Sequence, residues 1–256
     1  GGYAPDCTSE NLSRLRDTMR RSNAHLGLAT DGDGDRFGIL DHGARMAESN
    51  QGLALVLDYL ARRRKLAGAV GRTLATSLLI DAVAAVHGLE VVETPVGFKN
   101  FGPLLVDGTL SFAAEESAGM AWSKHLPERD GMLACLLVAE MMAVEGKSLV
   151  ELMSDLTARV GTYAFRRTQI PLSDRTRQLF ERRVNQNWSK KKLDGRKVVS
   201  VDRRDGLKLV FEGGSWILIR AAGTEPKIRL YAEGRSKEEQ RHLMHTVRKM
   251  FTDRRM

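Results

Sequence analysis

Strands and helices alternate along the middle of the chain, and this alternation restricts the fold more than any other feature of the sequence. Apolar segments at 70–77, 89–96 and 108–117 have the character of buried strands, and helical patterns lie between and after them. A strand followed by a helix and another strand builds a mostly parallel sheet with helices on its faces. We therefore predict a doubly wound α/β domain with a mixed or parallel sheet over residues 51–165.

The pattern changes after this domain, because strands then follow one another without helices between them. The segment LKLVFEGGSWILIR (207–220) contains two apolar runs joined by a Gly-Gly pair, which indicates a β-hairpin. The segment KIRLYAE (227–233) alternates apolar and polar residues, and a last helical pattern begins at Ser236. Residues 166–256 are therefore predicted to form an α+β domain, with helices covering one face of an antiparallel sheet.

The first part of the chain is too small to be a domain. Residues 1–50 contain one predicted helix at 9–22, with Ser9 as its candidate N-cap, and two strand candidates at 24–30 and 37–41. One helix and two strands cannot bury a core of their own. We expect this segment, which contains a candidate metal-binding loop, to be the tail of another α/β domain whose beginning is missing.

Composition indicates a soluble protein of a reducing compartment. The chain is 42% hydrophobic and 28% charged, and its longest apolar run, at 132–144, contains a glutamate. A membrane span needs about 20 apolar residues, so we expect this run to be a helix buried inside a domain and no membrane partner. Cys7 and Cys135 form no CxxC motif, and no signal pattern precedes them, which favours a cytoplasmic location.

The net charge of +8 raises the question of an anionic partner. Basic runs at 62–65, 190–192 and 203–205 are scattered along the chain and lack interleaved aromatic residues. We therefore interpret these runs as solvated helix ends and loops, and we do not expect a nucleic-acid partner. Part of the positive charge can instead face a small anionic substrate.

The stretch DGDGDR places three carboxylates on alternate residues, at Asp31, Asp33 and Asp35. In an extended segment these side chains point the same way, and a hard divalent cation such as Mg²⁺ would offset their repulsion. An EF-hand requires glycine and glutamate at its sixth and twelfth positions, where this chain has Arg36 and His42, so calcium by that route is not expected. A solvated acidic turn is the alternative.

Two further loops have the side chains of a ligand site. RAAGTEP (220–226) offers the Arg220 guanidinium, backbone N–H groups around Gly223 and the Thr224 hydroxyl, which together can hold a phosphate. AEESAGM (114–120) offers two carboxylates and a serine to the hydroxyls of a sugar. The alternatives are a plain glycine turn for the first loop and a helix cap or polar turn for the second.

These loops also carry a resemblance to a known family. DGDGDR, TPVGFK, EESAG, RDG and GTEPKIRLYAE occur in the order and approximate spacing of the α-D-phosphohexomutases, and the EES triplet resembles the phosphoglucomutase branch. The resemblance implies a Mg²⁺-dependent isomerase of carbohydrate metabolism. Such phosphoglucomutases and phosphomannomutases move a phosphoryl group between O1 and O6 of a hexose through a phosphoserine and a hexose 1,6-bisphosphate.

The resemblance also implies a role for each loop. Asp31, Asp33 and Asp35 become the Mg²⁺ ligands, and Arg36 becomes a catalytic residue beside the phosphoserine phosphate. The substrate-binding residues that it implies are Gly97, Glu115, Ser117, Arg129, Arg220, Ala222, Gly223 and Thr224.

Three departures from the family pattern affect the expected function. The family's serine loop, which resembles Thr-Ala-Ser-His-Asn-Pro, does not occur here. Ala222 replaces a serine of the phosphate loop, and Arg129 replaces a lysine. We therefore expect the chain to contain domains 3 and 4 and the end of domain 2 of such an enzyme. We expect it to be inactive alone and to have the missing N-terminal domains as its partner. The alternative is a non-catalytic phosphosugar-binding or regulatory protein.

Overall fold

The computed structural model describes residues 6–189, 191–223 and 225–252. The chain divides into two compact units, Gly1–Gly161 and Thr162–Met256, and the two large sheets belong to different units. Within the described ranges, no helix combines the length and apolar character that a bilayer crossing requires.

The first unit contains a mixed four-stranded sheet and a separate two-stranded one. Its elements in chain order are α1 (Ser13–Ser22), β1 (Gly27–Thr30), β2 (Phe37–Leu40), α2 (Ser49–Arg64), β3 (Ala69–Thr73), α3 (Leu79–Val86), β4 (Val91–Thr94), a 3₁₀ turn (Phe98–Asn100), α4 (Gly102–Val106), β5 (Leu110–Glu115), β6 (Gly119–Trp122), α5 (Gly131–Glu145) and α6 (Leu149–Val160).

The order of the four strands is β4-β3-β5-β6. β3 runs parallel to β4 and β5, and β6 is an antiparallel edge strand beside β5. Every residue of β3 and β5 is buried, as expected for strands that are covered on both faces. This arrangement confirms the predicted α/β sheet of mixed direction.

β1 and β2 form an antiparallel hairpin whose connecting loop is the acidic loop at 31–36. The helix before it is shorter than predicted, and the prediction that Ser9 is its N-cap is wrong. α1 begins at Ser13, and Leu12 occupies the N-cap position without a side-chain hydrogen bond. Ser9 instead accepts a hydrogen bond on Oγ from Nη2 of Arg16 at 2.7 Å.

The apolar run at 132–144 lies in α5, and the prediction of a buried helix is correct for one side of it only. Three of its apolar side chains, those of Met132, Leu136 and Val144, are 64%, 67% and 52% exposed. The opposite side of the helix is buried, through Ala134, Leu137, Val138 and Met141. Because apolar residues occupy both sides, the sequence shows no helical periodicity that could distinguish the exposed side.

The second unit is an antiparallel sheet with two helices. Its elements in chain order are β7 (Ala164–Pro171), α7 (Asp174–Asn185), β8 (Lys192–Leu193), β9 (Arg196–Asp202), β10 (Leu207–Phe211), β11 (Trp216–Ala221), β12 (Lys227–Gly234) and α8 (Lys237–Thr252).

The strand order of this sheet is β7-β12-β11-β10-β9-β8, and all of its pairs are antiparallel. Gly213 and Gly214, both with positive φ, join β10 to β11 as the predicted hairpin. Leu243, Val247 and Met250 of α8 pack into the core of the unit, as predicted. The separate antiparallel α+β unit is therefore confirmed.

A buried carboxylate ties three elements of the first unit together. Asp58 of α2 is 3% exposed. Its carboxylate accepts two hydrogen bonds from Arg159 of α6, at 2.9 and 2.7 Å, and one from Arg62 at 3.0 Å, and it lies 2.8 Å from Nε2 of His87. Burial raises the pKa of Asp58, but the hydrogen bonds from Arg159 and His87 outweigh this effect, so the net pKa is lowered.

Replacement of Asp58 by asparagine should lower the free energy of unfolding at pH 7 by about 2–4 kcal/mol, because it leaves two arginines without their carboxylate. A lowered native-state pKa stabilises the fold above the ordinary pKa of the group and loses that effect as the pH falls through the native-state value. The difference in free energy of unfolding between the wild-type chain and Asp58→Asn should therefore shrink below about pH 4. Urea denaturation of both proteins across pH tests this.

Asp155→Asn is the matched control, because Asp155 forms an exposed pair with Lys147 at 2.6 Å. Loss of this ion pair should change the free energy of unfolding by less than about 1 kcal/mol. Equal effects of the two substitutions would contradict a structural role for Asp58.

Candidate functional site

The acidic loop between β1 and β2 gathers three carboxylates. One carboxylate oxygen from each of Asp31, Asp33 and Asp35 lies within 4.8 Å of the other two. Asp31 is buried, Asp35 is partly buried and Asp33 is exposed. Like charges at this separation repel one another, so positively charged groups must compensate them.

The carboxylates converge because the loop is a tight turn, and the prediction of an extended segment is wrong. The N–H of Gly34 donates to the carbonyl oxygen of Asp31 at 3.2 Å. Oδ1 of Asp31 accepts the N–H groups of Asp35 at 3.1 Å and Arg36 at 3.2 Å. Gly34 has a φ of +76°, a conformation that glycine adopts without strain. The short side chain of aspartate is suited to such local bonds.

Asp35 provides a test of whether the loop fits a cation. Its Oδ2 pairs with Nη2 of Arg129 at 2.7 Å. Its Oδ1 is buried, accepts no hydrogen bond from the described residues, and lies 3.9 Å from Nε of Arg36. Burial raises the pKa of Asp35, and the charge of Arg129 offsets this only in part. A bound cation would satisfy Oδ1, and three carboxylates with room for water or phosphate are a donor set that fits Mg²⁺.

Arg36 is the last residue of the acidic loop and is held by a residue outside the loop. Its Nη1 pairs with Oδ1 of Asp6 at 2.6 Å, and its Nε lies 3.7 Å from Oδ2 of Asp31. The ion pair with Asp6 fixes the Arg36 guanidinium beside the carboxylates of the loop. The sequence analysis missed Asp6, because 30 residues separate it from Arg36 and no local pattern connects the two.

Arg129 joins the acidic loop to the loop that contains Glu115. Its Nη2 pairs with Asp35 at 2.7 Å, and its Nη1 lies 3.7 Å from Oε2 of Glu115. The guanidinium also lies over the ring of Phe98, at 5.4 Å from the centroid, a geometry that stabilises a cation. One side chain therefore connects two of the predicted site loops and lies over a third segment, the 3₁₀ turn.

Glu115 ends β5 and is buried, with 5% exposure. Its Oε1 accepts the N–H of Gly97 at 3.0 Å, and its Oε2 accepts the Oγ–H of Ser117 at 3.5 Å. Burial and the neighbouring charge of Glu116 raise its pKa, and Arg129 opposes this. The loops TPVGFK and EESAG thus meet at one carboxylate, and the hydroxyls of a sugar could hydrogen-bond to this polar group.

The RDG segment packs against the backbone of the acidic loop. Asp130 caps α5 by accepting the N–H of Leu133 at 2.9 Å. The N–H of Gly131 donates to the carbonyl oxygen of Gly34 at 2.9 Å. A Cβ at position 131 would lie only 2.3 Å from the carbonyl oxygen of Arg36. This close approach, which the sequence analysis also missed, explains why glycine follows the capping aspartate.

The predicted phosphate loop belongs to the second unit. Arg220 of β11 pairs through Nε with Oδ2 of Asp205 at 3.1 Å, and its side chain is 11% exposed. Burial lowers the pKa of Arg220, but the charge of Asp205 outweighs this and the net pKa is raised. Ala222 donates its N–H to the carbonyl oxygen of Lys227 at 2.9 Å, and Gly223 follows it in the turn. Thr224 lies outside the described residues.

Two family models match the chain. Residues 48–160 match "Phosphoglucomutase/phosphomannomutase, alpha/beta/alpha domain III", and residues 179–250 match "Phosphoglucomutase/phosphomannomutase, C-terminal domain". Together these matches cover most of the chain.

Individual relatives agree with the family models. The phosphoglucomutase/phosphomannomutase of Thermococcus kodakarensis is 30% identical over 240 residues, which are 94% of this chain and 50% of the relative. The phosphoglucomutase of Komagataeibacter xylinus is 30% identical over 249 residues, 91% of this chain and 44% of the relative. The crystal structure of a "putative phosphomannomutase" from Thermus thermophilus is 31% identical, with a TM-score of 0.77 over 96% of this chain and 50% of that one. The chain spans about half the length of these relatives.

Proposed function

Because the chain belongs to the phosphoglucomutase/phosphomannomutase family, we propose that it supplies the metal-binding, sugar-binding and phosphate-binding loops of a phosphohexomutase. The reaction interconverts hexose 1-phosphate and hexose 6-phosphate. A phosphoserine transfers its phosphoryl group to the free hydroxyl of the substrate, and the resulting hexose 1,6-bisphosphate returns its other phosphoryl group to the serine.

The observation that carries this proposal is the position of Arg129. It lies 2.7 Å from a carboxylate oxygen of Asp35 and 3.7 Å from one of Glu115, so it links the proposed metal loop to the proposed sugar loop. Phosphoryl transfer requires charge neutralisation and alignment more than covalent chemistry from many groups. The Arg129 guanidinium, which lies beside both carboxylates, would hold the two loops in fixed relative positions during phosphoryl transfer.

Each loop has a proposed task. Asp31, Asp33 and Asp35 would hold Mg²⁺, which when bound neutralises charge on the phosphoryl oxygens. Arg36, fixed by Asp6, would donate hydrogen bonds to the phosphate of the phosphoserine. The sugar-binding and phosphate-binding residues of the proposal are Gly97, Glu115, Ser117 and Arg129 in the first unit and Arg220, Ala222, Gly223 and Thr224 in the second.

The scheme requires a phosphoserine, and the sequence contains no Thr-Ala-Ser-His-Asn-Pro-like loop to provide it. We therefore expect the purified chain to bind phosphosugars without converting them. Conversion of glucose 1-phosphate by the chain alone, abolished by Asp33→Ala, would contradict this. Ala222 favours the second candidate, a non-catalytic phosphosugar-binding protein, which would stay inactive even with the phosphoserine domain supplied.

Mg²⁺ binding tests the metal loop. Titration calorimetry of the chain should detect weak Mg²⁺ binding, because three aspartates fill only part of the coordination sphere, and the affinity should rise when glucose 1,6-bisphosphate is present. Asp33→Asn should lower the Mg²⁺ affinity at least about tenfold, since it removes one charged ligand. Asp17→Asn, at an exposed position of α1, is the control and should change nothing. Tight Mg²⁺ binding without any phosphate would contradict the proposal.

Ala222→Ser tests the phosphate loop. A hydroxyl at this position adds a hydrogen bond to a phosphate, worth about 1–2 kcal/mol, so the chain should bind glucose 1-phosphate roughly tenfold more tightly. Ala221→Ser, at the last residue of β11, is the matched control and should leave the affinity for glucose 1-phosphate unchanged. Unchanged affinity in Ala222→Ser would exclude position 222 from the phosphate site.

A further inference from the structure

His25 and His42 differ in their surroundings from most other histidines of the chain. His87, His125 and His242 each have Nε2 at 2.8 Å from a carboxylate oxygen, so one ring nitrogen of each is engaged. The rings of His25 and His42 contact each other instead. Among the described residues, neither of these two imidazoles has a hydrogen-bond or ion-pair partner. Their ring nitrogens therefore remain available to a metal ion.

The two histidines flank the β1–β2 hairpin at its open end. His25 lies two residues before β1, and His42 lies two residues after β2. The hairpin register pairs Gly27 with Leu40, and its continuation by two residues on each strand places His25 opposite His42. Their ring centroids are 5.0 Å apart, and the ring planes differ by 23°. Opposite residues of an antiparallel pair have Cβ atoms about 5 Å apart on one face, so the two rings can reach a common point.

The turn that carries His42 is held in place by hydrogen bonds. Oδ1 of the buried Asp41 accepts the N–H of Arg45 at 2.9 Å, and the carbonyl oxygen of Asp41 accepts the N–H of Ala44 at 2.8 Å. The carbonyl oxygen of Ala44 in turn accepts Nε–H of Arg16 from α1 at 3.2 Å. A backbone that is already ordered lowers the entropy cost of bringing two ligands to one ion.

Imidazole nitrogens and carboxylates select different classes of metal ion. Imidazoles suit Zn²⁺, Cu²⁺ and Ni²⁺, whereas carboxylates suit Mg²⁺ and Ca²⁺. Both rings are exposed, so each can turn about its side-chain bonds without displacing a packed group. Such a rotation from the stacked arrangement directs one nitrogen of each ring to a shared ion at about 2.0–2.1 Å. Water molecules can fill the remaining coordination positions.

We propose that His25 and His42 form a two-histidine site for a divalent transition-metal ion, with Zn²⁺ as the representative ion. The ion cross-links the two ends of the segment that forms the β1–β2 hairpin. Six residues separate His25 from Asp31, about 20 Å of extended chain, so one ion cannot bind both this pair and the acidic loop. The site does not depend on the proposed phosphohexomutase function.

The two cysteines are weak competitors for Zn²⁺. A thiol must lose its proton to bind a metal ion. Burial is the main cause that raises the pKa of Cys7 to about 11, and burial also raises the pKa of Cys135. Both thiols therefore stay protonated near neutral pH, and the exposed imidazoles are the better ligands.

Titration calorimetry of the chain with ZnCl₂ tests the site, in millimolar MgCl₂ so that a hard cation is available to the acidic loop. His25→Ala and His42→Ala should each lower the Zn²⁺ affinity at least about tenfold, because either one removes a nitrogen ligand. The double variant should lose less than about threefold more than either single variant, because two residues that act as one chelate are not additive. His245→Ala, which removes an exposed imidazole of α8, is the matched control and should change the affinity by less than about twofold.

Two further measurements locate the ion. One equivalent of Zn²⁺ should shift the imidazole NMR signals of His25 and His42 together and leave those of His245 in place. Zn²⁺ should also raise the midpoint of thermal unfolding of the wild-type chain but not of His42→Ala, because the ion binds only the folded hairpin.

Four results would overturn the proposal. The first is the absence of Zn²⁺ binding, and the second is equal affinity in the wild-type chain and the histidine variants. The third is a loss of Zn²⁺ affinity in Asp33→Asn with none in the histidine variants, which would place the ion in the acidic loop. The fourth is a fully additive loss in the double variant, which would mean that the two imidazoles bind separately.

Discussion

Replacement of Gly131 by alanine should lower the free energy of unfolding of the chain by about 3 kcal/mol. The added Cβ would lie 2.3 Å from the carbonyl oxygen and 2.8 Å from the carbonyl carbon of Arg36, and 2.9 Å from the carbonyl oxygen of Gly34. All three are backbone atoms, so no side-chain rotation can relieve the overlap. The acidic loop must therefore move away from the start of α5.

The displaced backbone belongs to the loop that gathers the three aspartates, so Gly131→Ala should also weaken Mg²⁺ binding. Urea denaturation gives the stability, and calorimetry under conditions in which the variant remains folded gives the Mg²⁺ affinity. Gly102→Ala is the matched control, because a Cβ at the first position of α4 meets nothing within 4 Å. It should change stability by less than about 1 kcal/mol. Wild-type stability in Gly131→Ala would mean that the loop does not pack this closely.

The type and order of the secondary structure were predictable because each depends on a local pattern. The hairpin of β10 and β11 follows from a Gly-Gly pair between apolar runs, and the mixed sheet of the first unit follows from strands that alternate with helices. The exposed side of α5 was not predictable. Its sequence is apolar on every side, so only the packing of the unit distinguishes Leu136, which is exposed, from Leu137, which is buried.

The clustering of the three aspartates was predictable, but the contacts that build the candidate site were not. The grouping of three aspartates follows from their spacing within five residues, and one carboxylate oxygen of each lies within 4.8 Å of the other two. That they hold a cation stays a prediction. The turn that brings them together depends on N–H groups bonded to Asp31. The contacts of Arg36 with Asp6 and of Arg129 with Phe98 join residues about 30 positions apart, which no local period relates.

The site also holds its carboxylates at an electrostatic cost. Burial raises the pKa of Asp35 and of Glu115, which means that their charged forms are less favourable in the folded chain than in the unfolded one. Arg129 opposes the rise of both pKa values.

Arg129→Met should consequently lower the free energy of unfolding at neutral pH by about 2–3 kcal/mol, because it leaves two partly desolvated carboxylates without their cation. A raised native-state pKa destabilises the fold above that pKa, and this effect disappears as the pH falls through the native-state value towards the ordinary one. The deficit should thus be largest at about pH 7–8 and should shrink as the carboxyls of Asp35 and Glu115 become protonated. Thermal or urea denaturation between about pH 8 and pH 4.5 measures it.

Arg129→Lys separates charge from geometry. Lysine retains the charge, but its single ammonium cannot span two carboxylates as a planar guanidinium does. Arg129→Lys should therefore lose about half as much free energy of unfolding as Arg129→Met. Millimolar Mg²⁺ should restore part of the stability that Arg129→Met loses, because a cation bound to the folded state alone stabilises it. A deficit in Arg129→Met that neither pH nor Mg²⁺ changes would mean that Arg129 acts only through its packing on Phe98, and the electrostatic link between the two loops would have to be abandoned.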